Sequence, residues 1–518
     1  MAFTYTQEIA LVTWLLFAIW ILRRRSTWIS RLQGCSLPLG PKGLPFIGNL
    51  LDMRAEELPW RLYRDWSYQY GNLIYLNVLG TPIIVINSVD IAIDLMEKRS
   101  SVYSDRPESV MDELIGWDWN VGLMRYGPRW REIRRLIHVN FHQLSVAKYH
   151  GSQTRTVHKF LRTALEGQGN QCNPLSFRLA AGTVIADIVY GLEVSGPDDE
   201  FLYLQEKALE GLNLSRVPGA YWVDYVPLLK LVPDWFPGAA AKKLGKQYRP
   251  IVQKMLNKPF DTVKSDAAPR ECIALDLIRK IEKLDDPMLR TEQEEHARDA
   301  TGILYAATID TNLGLLTSFL CAMAMDPHIQ KRAQNELEYV VGPDRLPTYD
   351  DRDSLPFVQA ILYESVRWFP ALPMGVPRRS TADDYYNGYF IPKGTEIIPN
   401  AWAMLHNPDD YPNPERFDPD RFLKDGEINR AVRNPTTIAF GFGRRICPGR
   451  HFAQDHVFLM IASILHTFDI EPAVDEYGNQ INPNPQATKG ITAQPEKLPC
   501  VLRARSAAAE SLIRLTPQ

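Results

Sequence analysis

The sequence predicts a mainly α-helical fold with small β-sheets, preceded by one N-terminal transmembrane helix. Three observations carry that expectation. Residues 291–325 read as one long helix, apolar all round from Gly302 onward, and residues 457–468 form a second apolar run of helical length after a Pro-Gly break. Strand signals are confined to short segments such as residues 72–87. Residues 9–22 (IALVTWLLFAIWIL) are uninterrupted apolar sequence, met at once by Arg23, Arg24 and Arg25.

The elements follow in chain order. Residues 3–22 carry only Glu8 as a charge and reach the ~20 residues that span a bilayer. A cleaved signal peptide has its charges before the apolar core and small residues after it; here the arginines follow. Residues 1–25 therefore read as a signal anchor with a basic stop. The positive-inside rule leaves the N-terminus lumenal and the rest cytosolic. Residues 26–48 form a linker whose Pro- and Gly-rich part, residues 37–48, makes a stiff hinge. The body is expected over 49–505, with a tail over 506–518.

In the body, residues 72–87 read as two strands around Gly80-Thr81-Pro82, with helix from Val89 and a loop-rich stretch over 103–124 holding Trp117 and Trp119. Trp130 and Arg134 share one helix face, while Arg129, Arg131 and Arg135 make a basic patch elsewhere on the same helix. His138 and His142 stand four apart but lack a third ligand and read as structural. Asn213-Leu214-Ser215 is a glycosylation sequon that the topology keeps out of the lumen, so it is expected unmodified. Residues 217–238 are rich in Pro, Trp, Tyr and Phe.

Thr291 with Glu294 forms a capping box that should open the longest helix, and Pro327 stops it near Met325. Asp310, Asn312 and several threonines place its apolar half in a protein core rather than a membrane. Glu364 and Arg367 can pair at i, i+3 on a helix from about Ser354 to Phe369, ended by Pro370. Residues 389–399 read as a hairpin around Pro392-Lys393-Gly394.

Composition sets wide bounds. A chain of 518 residues has room for about three average domains, yet no flexible linker, repeat or low-complexity tract divides its body. A hydrophobic content of 45% supports a sizeable core, and a net charge of −3 gives no sign of nucleic-acid binding. Cys35, Cys172, Cys272, Cys321, Cys447 and Cys500 show no CxxC pair or disulfide-like spacing, which fits a reducing compartment.

Chemistry concentrates in residues 440–449, Phe-Gly-Phe-Gly-Arg-Arg-Ile-Cys-Pro-Gly. Cys447 stands in a glycine-punctuated loop at the start of a helix, where N–H groups and the dipole lower a thiol pKa. Gly443 and Gly449 would let the backbone approach a flat partner. The residues alone also allow a buried structural thiol, or a degenerate dinucleotide loop with Ile446 where the third glycine would stand.

The pattern F-x-x-G-x-R-x-C-x-G, matched at Phe440, Gly443, Arg445, Cys447 and Gly449, resembles the haem-binding loop of the cytochrome P-450 family. The resemblance runs from the hinge to about Arg505 and implies the cytochrome P-450 fold with haem b (iron-protoporphyrin IX). It makes Cys447 the axial thiolate and metal ligand, within a cofactor site of Trp130, Arg134, Arg378, Phe440, Arg445 and Cys447. Arg445, Trp130 and Arg134 would reach haem propionates, and Arg378 the second of these. Asp310 and Thr311 match the family's catalytic acid–threonine pair, which relays protons beside the oxygen-binding site. Here the chain departs from the family: Ala307-Thr308 stands for the usual Ala-Gly, and Asn312 follows. The Thr308 hydroxyl can bond back to the Leu304 carbonyl and bend the helix. Glu364 and Arg367, with Arg416 of Pro414-Glu415-Arg416-Phe417, resemble the structural Glu–Arg–Arg triad. Residues 103–124 and 372–378 would line the substrate pocket, and 217–238 resembles the segment bordering its channel and touching the membrane.

The function so implied is an NADPH- and O2-dependent monooxygenase acting on a lipophilic small molecule. Electrons would come from NADPH–cytochrome P-450 reductase, docked on the Arg129, Arg131 and Arg135 patch. It would sit in the endoplasmic reticulum membrane as a single-pass protein with a cytosolic catalytic domain. Its wider sequence is similar to fungal microsomal members of secondary metabolism, terpenoid pathways among them. Two alternatives stay open: a haem-thiolate isomerase, dehydratase or peroxygenase that does not activate O2, and a non-catalytic haem-binding protein.

Overall fold

Alternating apolar residues and a two-residue turn start the ordered body. Pro59–Tyr70 is helix α1, and Leu73–Val78 (β1) pairs antiparallel with Thr81–Ile86 (β2), Val78 facing Thr81. The turn is Leu79-Gly80, both at positive φ (51° and 88°), one residue before the expected Gly80-Thr81-Pro82. The computed structural model describes residues 13–16, 19, 22–23, 25–53, 58–216, 221–235, 238–267 and 270–517. Most of the expected anchor lies outside the described residues. Of those described there, Trp14, Leu15, Leu16, Ile19 and Leu22 are helical and exposed.

Helices then follow as Val110–Ile115 (α2), Pro128–Phe141 (α3), Pro174–Tyr190 (α4), Glu200–Ser215 (α5) and Pro287–Met325 (α6). Helix α6 has 39 residues and begins before the expected Thr291. The Asp286 carboxylate accepts from Met288 N at 2.8 Å and Pro287 takes the first helical position, so this earlier cap wins. Thr291 lies inside the helix, its hydroxyl donating to the Pro287 carbonyl. Among the described residues α6 is the one helix long and apolar enough to cross a membrane. However, 72% of its apolar window is buried within the molecule, which makes it a core helix.

Pro356–Trp368 (α7) carries Glu364 and Arg367, both fully buried and joined by two hydrogen bonds of 2.6 and 2.8 Å. Their third partner is Arg421, not the expected Arg416. Arg421 Nε lies 3.2 Å from each Glu364 oxygen, whereas Arg416 is exposed and offers only its carbonyl, to Arg367 and Arg421. Pro419-Asp420-Arg421-Phe422 repeats the pattern of Pro414–Phe417 five residues on. Its short 3-10 turn, capped by Asp418, aims the second arginine inward.

Strand Arg378–Arg379 (β3) and strand Glu396–Pro399 (β4) complete a four-stranded sheet in the order β1-β2-β4-β3, with β4 parallel to β2. The expected 389–399 hairpin is therefore corrected. Tyr389–Ile391 pairs backward with Asp384–Tyr386 across Asn387-Gly388, whose φ values of 49° and 80° suit a tight hairpin turn. Arg450–Thr467 (α8) leads into Phe468–Pro472 (β5), which pairs with Cys500–Ala504 (β6).

Two large apolar clusters form the core and meet on α6. Residues up to Ile309 join Trp117, Trp119, Ile133 and Phe452; residues from Leu313 join Phe177, Ile361 and Leu459. The site lies at the junction between them.

Candidate active site

At that junction one short face of α6 opens. Ala307 is exposed, and Ile303, Thr308, Thr311 and Leu315 are partly so, although the rest of this stretch is buried. Thr311 donates to the Ala307 carbonyl at 2.9 Å and Thr308 to the Leu304 carbonyl at 2.8 Å, the back-bond anticipated for the threonine at 308. Asp310 points behind this face. It is buried, with Oδ1 2.9 Å from Arg178 Nη2 of α4; the approach is not aligned as a hydrogen bond, so charge holds the pair. Burial raises the Asp310 pKa and Arg178 opposes the rise. Arg178 also donates to Gln205 Oε1 at 3.1 Å, and Gln205 Nε2 to the Ala306 carbonyl at 3.3 Å, which ties the group to the helix backbone.

The cysteine loop closes on itself through Cys447 N, which donates to the Phe440 carbonyl at 2.8 Å. Gly443 is required by the chain's own packing. Its φ is 53°, and a Cβ there would lie 2.3 Å from the Met96 carbonyl oxygen. At Gly449 the nearest atom to such a Cβ is Cys447 Sγ, at 4.0 Å. Burial pushes the Cys447 thiol up, against the backbone N–H of Gly449 and the charges of Arg134 and Arg450, which pull it down. Burial outweighs the helix terminus at this thiol.

Around this loop stand four guanidinium groups, Arg106, Arg134, Arg378 and Arg445. Arg445 donates to the carbonyls of Ser104 (2.8 Å), Val121 (3.2 Å) and Met124 (2.8 Å), and lies 4.4 Å over the Trp130 ring. Trp130 Nε1 donates to the same Val121 carbonyl at 3.2 Å, and Arg134 to the Ile446 carbonyl. Arg378 reaches the carbonyls of Met96 (3.2 Å) and Phe442 (2.6 Å). Arg106 reaches those of Gly122, Val376 and Pro377. Among the described residues none of the four is ion-paired to a carboxylate. Burial lowers all four pKa values, Arg378 to about 10 and Arg445 to about 9; repulsion from Arg378 adds to the fall at Arg445. Arg106 was absent from the sequence expectation, because an arginine between Asp105 and Pro107 has no helical or strand period to mark it. The loop carrying Val121 also joins the site to α6: a Cβ on Gly302 would lie 3.1 Å from the Trp119 ring.

Residues 38–499 match the profile of the cytochrome P-450 family. The chain belongs to the cytochrome P-450 family. It is 38% identical over 493 residues to a cytochrome P-450 monooxygenase of Coprinopsis cinerea, covering 94% of this chain and 93% of that one. A cytochrome P-450 monooxygenase of Armillaria gallica is 39% identical over 510 residues, 98% of each chain. One of Rhodocybe pseudopiperita is 37% identical over 510 residues, 96% of each. Members of the cytochrome P-450 family are haem-thiolate enzymes that bind haem b, and this chain is accordingly an oxidoreductase.

The residues present fit that group. Four cations without a counter-anion, Arg106 and Arg378 buried and Arg134 and Arg445 half-buried, are costly, and the two propionates of haem are the complementary charge. Cys447, at the mouth of α8, would hold the haem iron through its sulfur. On the outer side of α3 the three expected docking arginines are all exposed. Arg129 pairs with Asp299 at 2.6 Å, Arg135 with Glu132 at 2.8 Å, and Arg131 lies 6.0 Å over the Tyr126 ring.

Proposed function

We propose that this cytochrome P-450 is an NADPH- and O2-dependent monooxygenase that oxidises a lipophilic small molecule in fungal secondary metabolism, terpenoid oxidation being one such role. The observation that carries the reading is the open face of α6, where two threonine hydroxyls stand among apolar side chains with Asp310 directly behind. Cys447 would ligate the iron. Arg106, Arg134, Arg378 and Arg445 would hold the propionates, with Trp130 and Phe440 closing the cofactor's surroundings. Haem bound through a thiolate supplies dioxygen activation, which electron donation from the sulfur favours.

This chain's own residues do the rest. Ile303, Ala307 and Leu315 present an apolar surface that binds a lipophilic molecule and excludes water. Thr311 Oγ holds a proton at that surface, and Asp310, its pKa raised by burial, can resupply it from the Arg178 side. Electrons would come from NADPH–cytochrome P-450 reductase docked near Arg131 and Arg135. The exposed apolar side chains of Trp14, Leu15, Leu16, Ile19 and Leu22 support an endoplasmic reticulum anchor that leaves the catalytic body cytosolic.

The test is turnover of a terpenoid, polyketide and fatty-acid panel by the full-length protein with a fungal reductase. Oxygenated products that require both NADPH and O2 are expected. Product formed without either would sink the proposal in favour of isomerase or dehydratase chemistry.

A further inference from the structure

We propose that Asn213 is a positioning residue that fixes the turn at 490–493 over the open face of α6 and so decides which lipophilic molecules the site admits. The inference deepens the proposed function and rests on reading that face as the substrate surface.

Residues 487–495 form a hairpin: Ala487 bridges Pro495, Thr488 N donates to the Gln494 carbonyl at 2.9 Å, and Gln494 N donates to Thr488 Oγ1 at 3.1 Å. Its tip is pinned from three sides. In the last turn of α5, Asn213 Oδ1 accepts from Ile491 N (3.2 Å), Thr492 N (3.3 Å) and Thr492 Oγ1 (3.2 Å). Ala493 N donates to the Ala371 carbonyl at 2.9 Å, at the head of the segment leading to Arg378. The Ala493 carbonyl oxygen in turn lies 2.7 Å from where a Cβ on Gly314 would be, so the tip rests directly on α6, three residues past Thr311.

The side chains at the tip divide between the two cores. Ile491 packs, half-buried, against the cluster of Trp117, Leu304 and Ile309, while Ala493 belongs to the cluster of Leu313 and Phe319. The tip thus spans the break at which Ala307 and Thr311 open. One oxygen satisfies three donors; without it two backbone N–H groups of the tip lose their partner. Gly490 makes the fit tight, since its φ is 136° and a Cβ there would lie 2.9 Å from Asn213 Oδ1. The sequon at 213–215 is absorbed by the same contacts. Its asparagine oxygen is engaged, and Ser215 is buried with its hydroxyl donating to the Leu212 carbonyl.

The experiment compares Asn213→Leu, which keeps the branched shape but accepts nothing, with Asn213→Asp, which keeps the acceptor, in the haem-loaded full-length protein. Hydrogen exchange of the peptide spanning 486–495 reports the clamp without any ligand. Soret shifts with imidazole, 4-phenylimidazole and ketoconazole report the shape of the site. Asn213→Leu is expected to speed exchange about tenfold, and to change the ketoconazole-to-imidazole affinity ratio by about tenfold with imidazole binding itself unchanged, as loss of a buried acceptor implies. Asn213→Asp should behave as the parent. Should Asn213→Leu not accumulate, Gly490→Ala provides the same comparison. Parent-like exchange and affinity ratio in Asn213→Leu would overturn the inference, as would equal changes in Asn213→Asp. A parent that shifts with none of the three imidazoles would refute the substrate-site reading and the inference together.

Discussion

At the scale of single residues, the site is a problem of unpaired charge and placed hydroxyls. Thr311 sits on the open face and Asp310 behind it, so in the proposed proton path the two would act in series rather than side by side. Thr311→Ala is expected to keep substrate binding while diverting NADPH electrons into hydrogen peroxide, seen as a fall of at least about tenfold in product per NADPH, the size of a general acid–base contribution. Thr308→Gly should change that ratio little, because it leaves Thr311 and its neighbour Asp310 in place. If Thr308→Ala lowers the ratio and Thr311→Ala does not, the proton path runs through Thr308. Pairs such as Trp130 with Arg134 are legible in sequence because helical spacing alone puts them on one face. Arg106 is not, since only the folded chain shows four buried or half-buried guanidinium groups converging with no carboxylate paired to them among the described residues.

At the scale of elements, two substitutions separate a buried network from a look-alike. Arg421→Ala removes one of the two cations paired with buried Glu364, and should cost roughly 3 kcal/mol and weaken haem retention. Arg416→Ala, on an exposed side chain, should stay within about 0.5 kcal/mol of the parent. The reverse order in thermal melts would restore Arg416 to the triad. A short motif repeated five residues apart cannot be assigned by sequence, because burial chooses between the copies. Strand pairing shows the same limit: nothing local in residues 396–399 says that they run parallel to β2 rather than back along 389–391. Here Asn387-Gly388 was the overlooked signal.

Strand β4 also carries a titrating group. Burial, then the nearby Asp224 charge, raises the Glu396 pKa to about 7, against Arg379 and Arg216. Asp224 holds Met111 N (2.9 Å) and Ser109 Oγ (3.2 Å) at the start of α2. A carboxyl with a raised folded pKa stabilises the fold at low pH, and that stability is lost as pH rises through about 7. Glu396→Gln should therefore melt close to the parent near pH 5 and above it at pH 8, by on the order of 2 kcal/mol. A difference independent of pH would place the Glu396 charge in solvent.

At the scale of the molecule, α6 links the pieces: it carries both cores, the open face and the rest point of the 490–493 tip. Such a body is expected to fold without the N-terminal stretch. Deleting residues 1–25 should leave a haem-binding protein with the parent's melting temperature, since none of the described residues in that stretch belongs to the core. Residual membrane association is expected through the exposed Leu228, Leu231 and Trp235. Loss of haem binding on truncation would show that the N-terminal stretch contributes to the core. The fold class, the central helix and the cysteine loop are legible in sequence because each rests on a run or motif of neighbouring residues. What joins them across the chain is visible only in three dimensions. The most direct test of the whole is the purified Cys447→Ser protein, reduced and exposed to carbon monoxide. Loss of the strongly red-shifted Soret band that a thiolate ligand produces is expected, with haem still held by the arginine cluster; an unchanged band would mean that Cys447 is not the ligand.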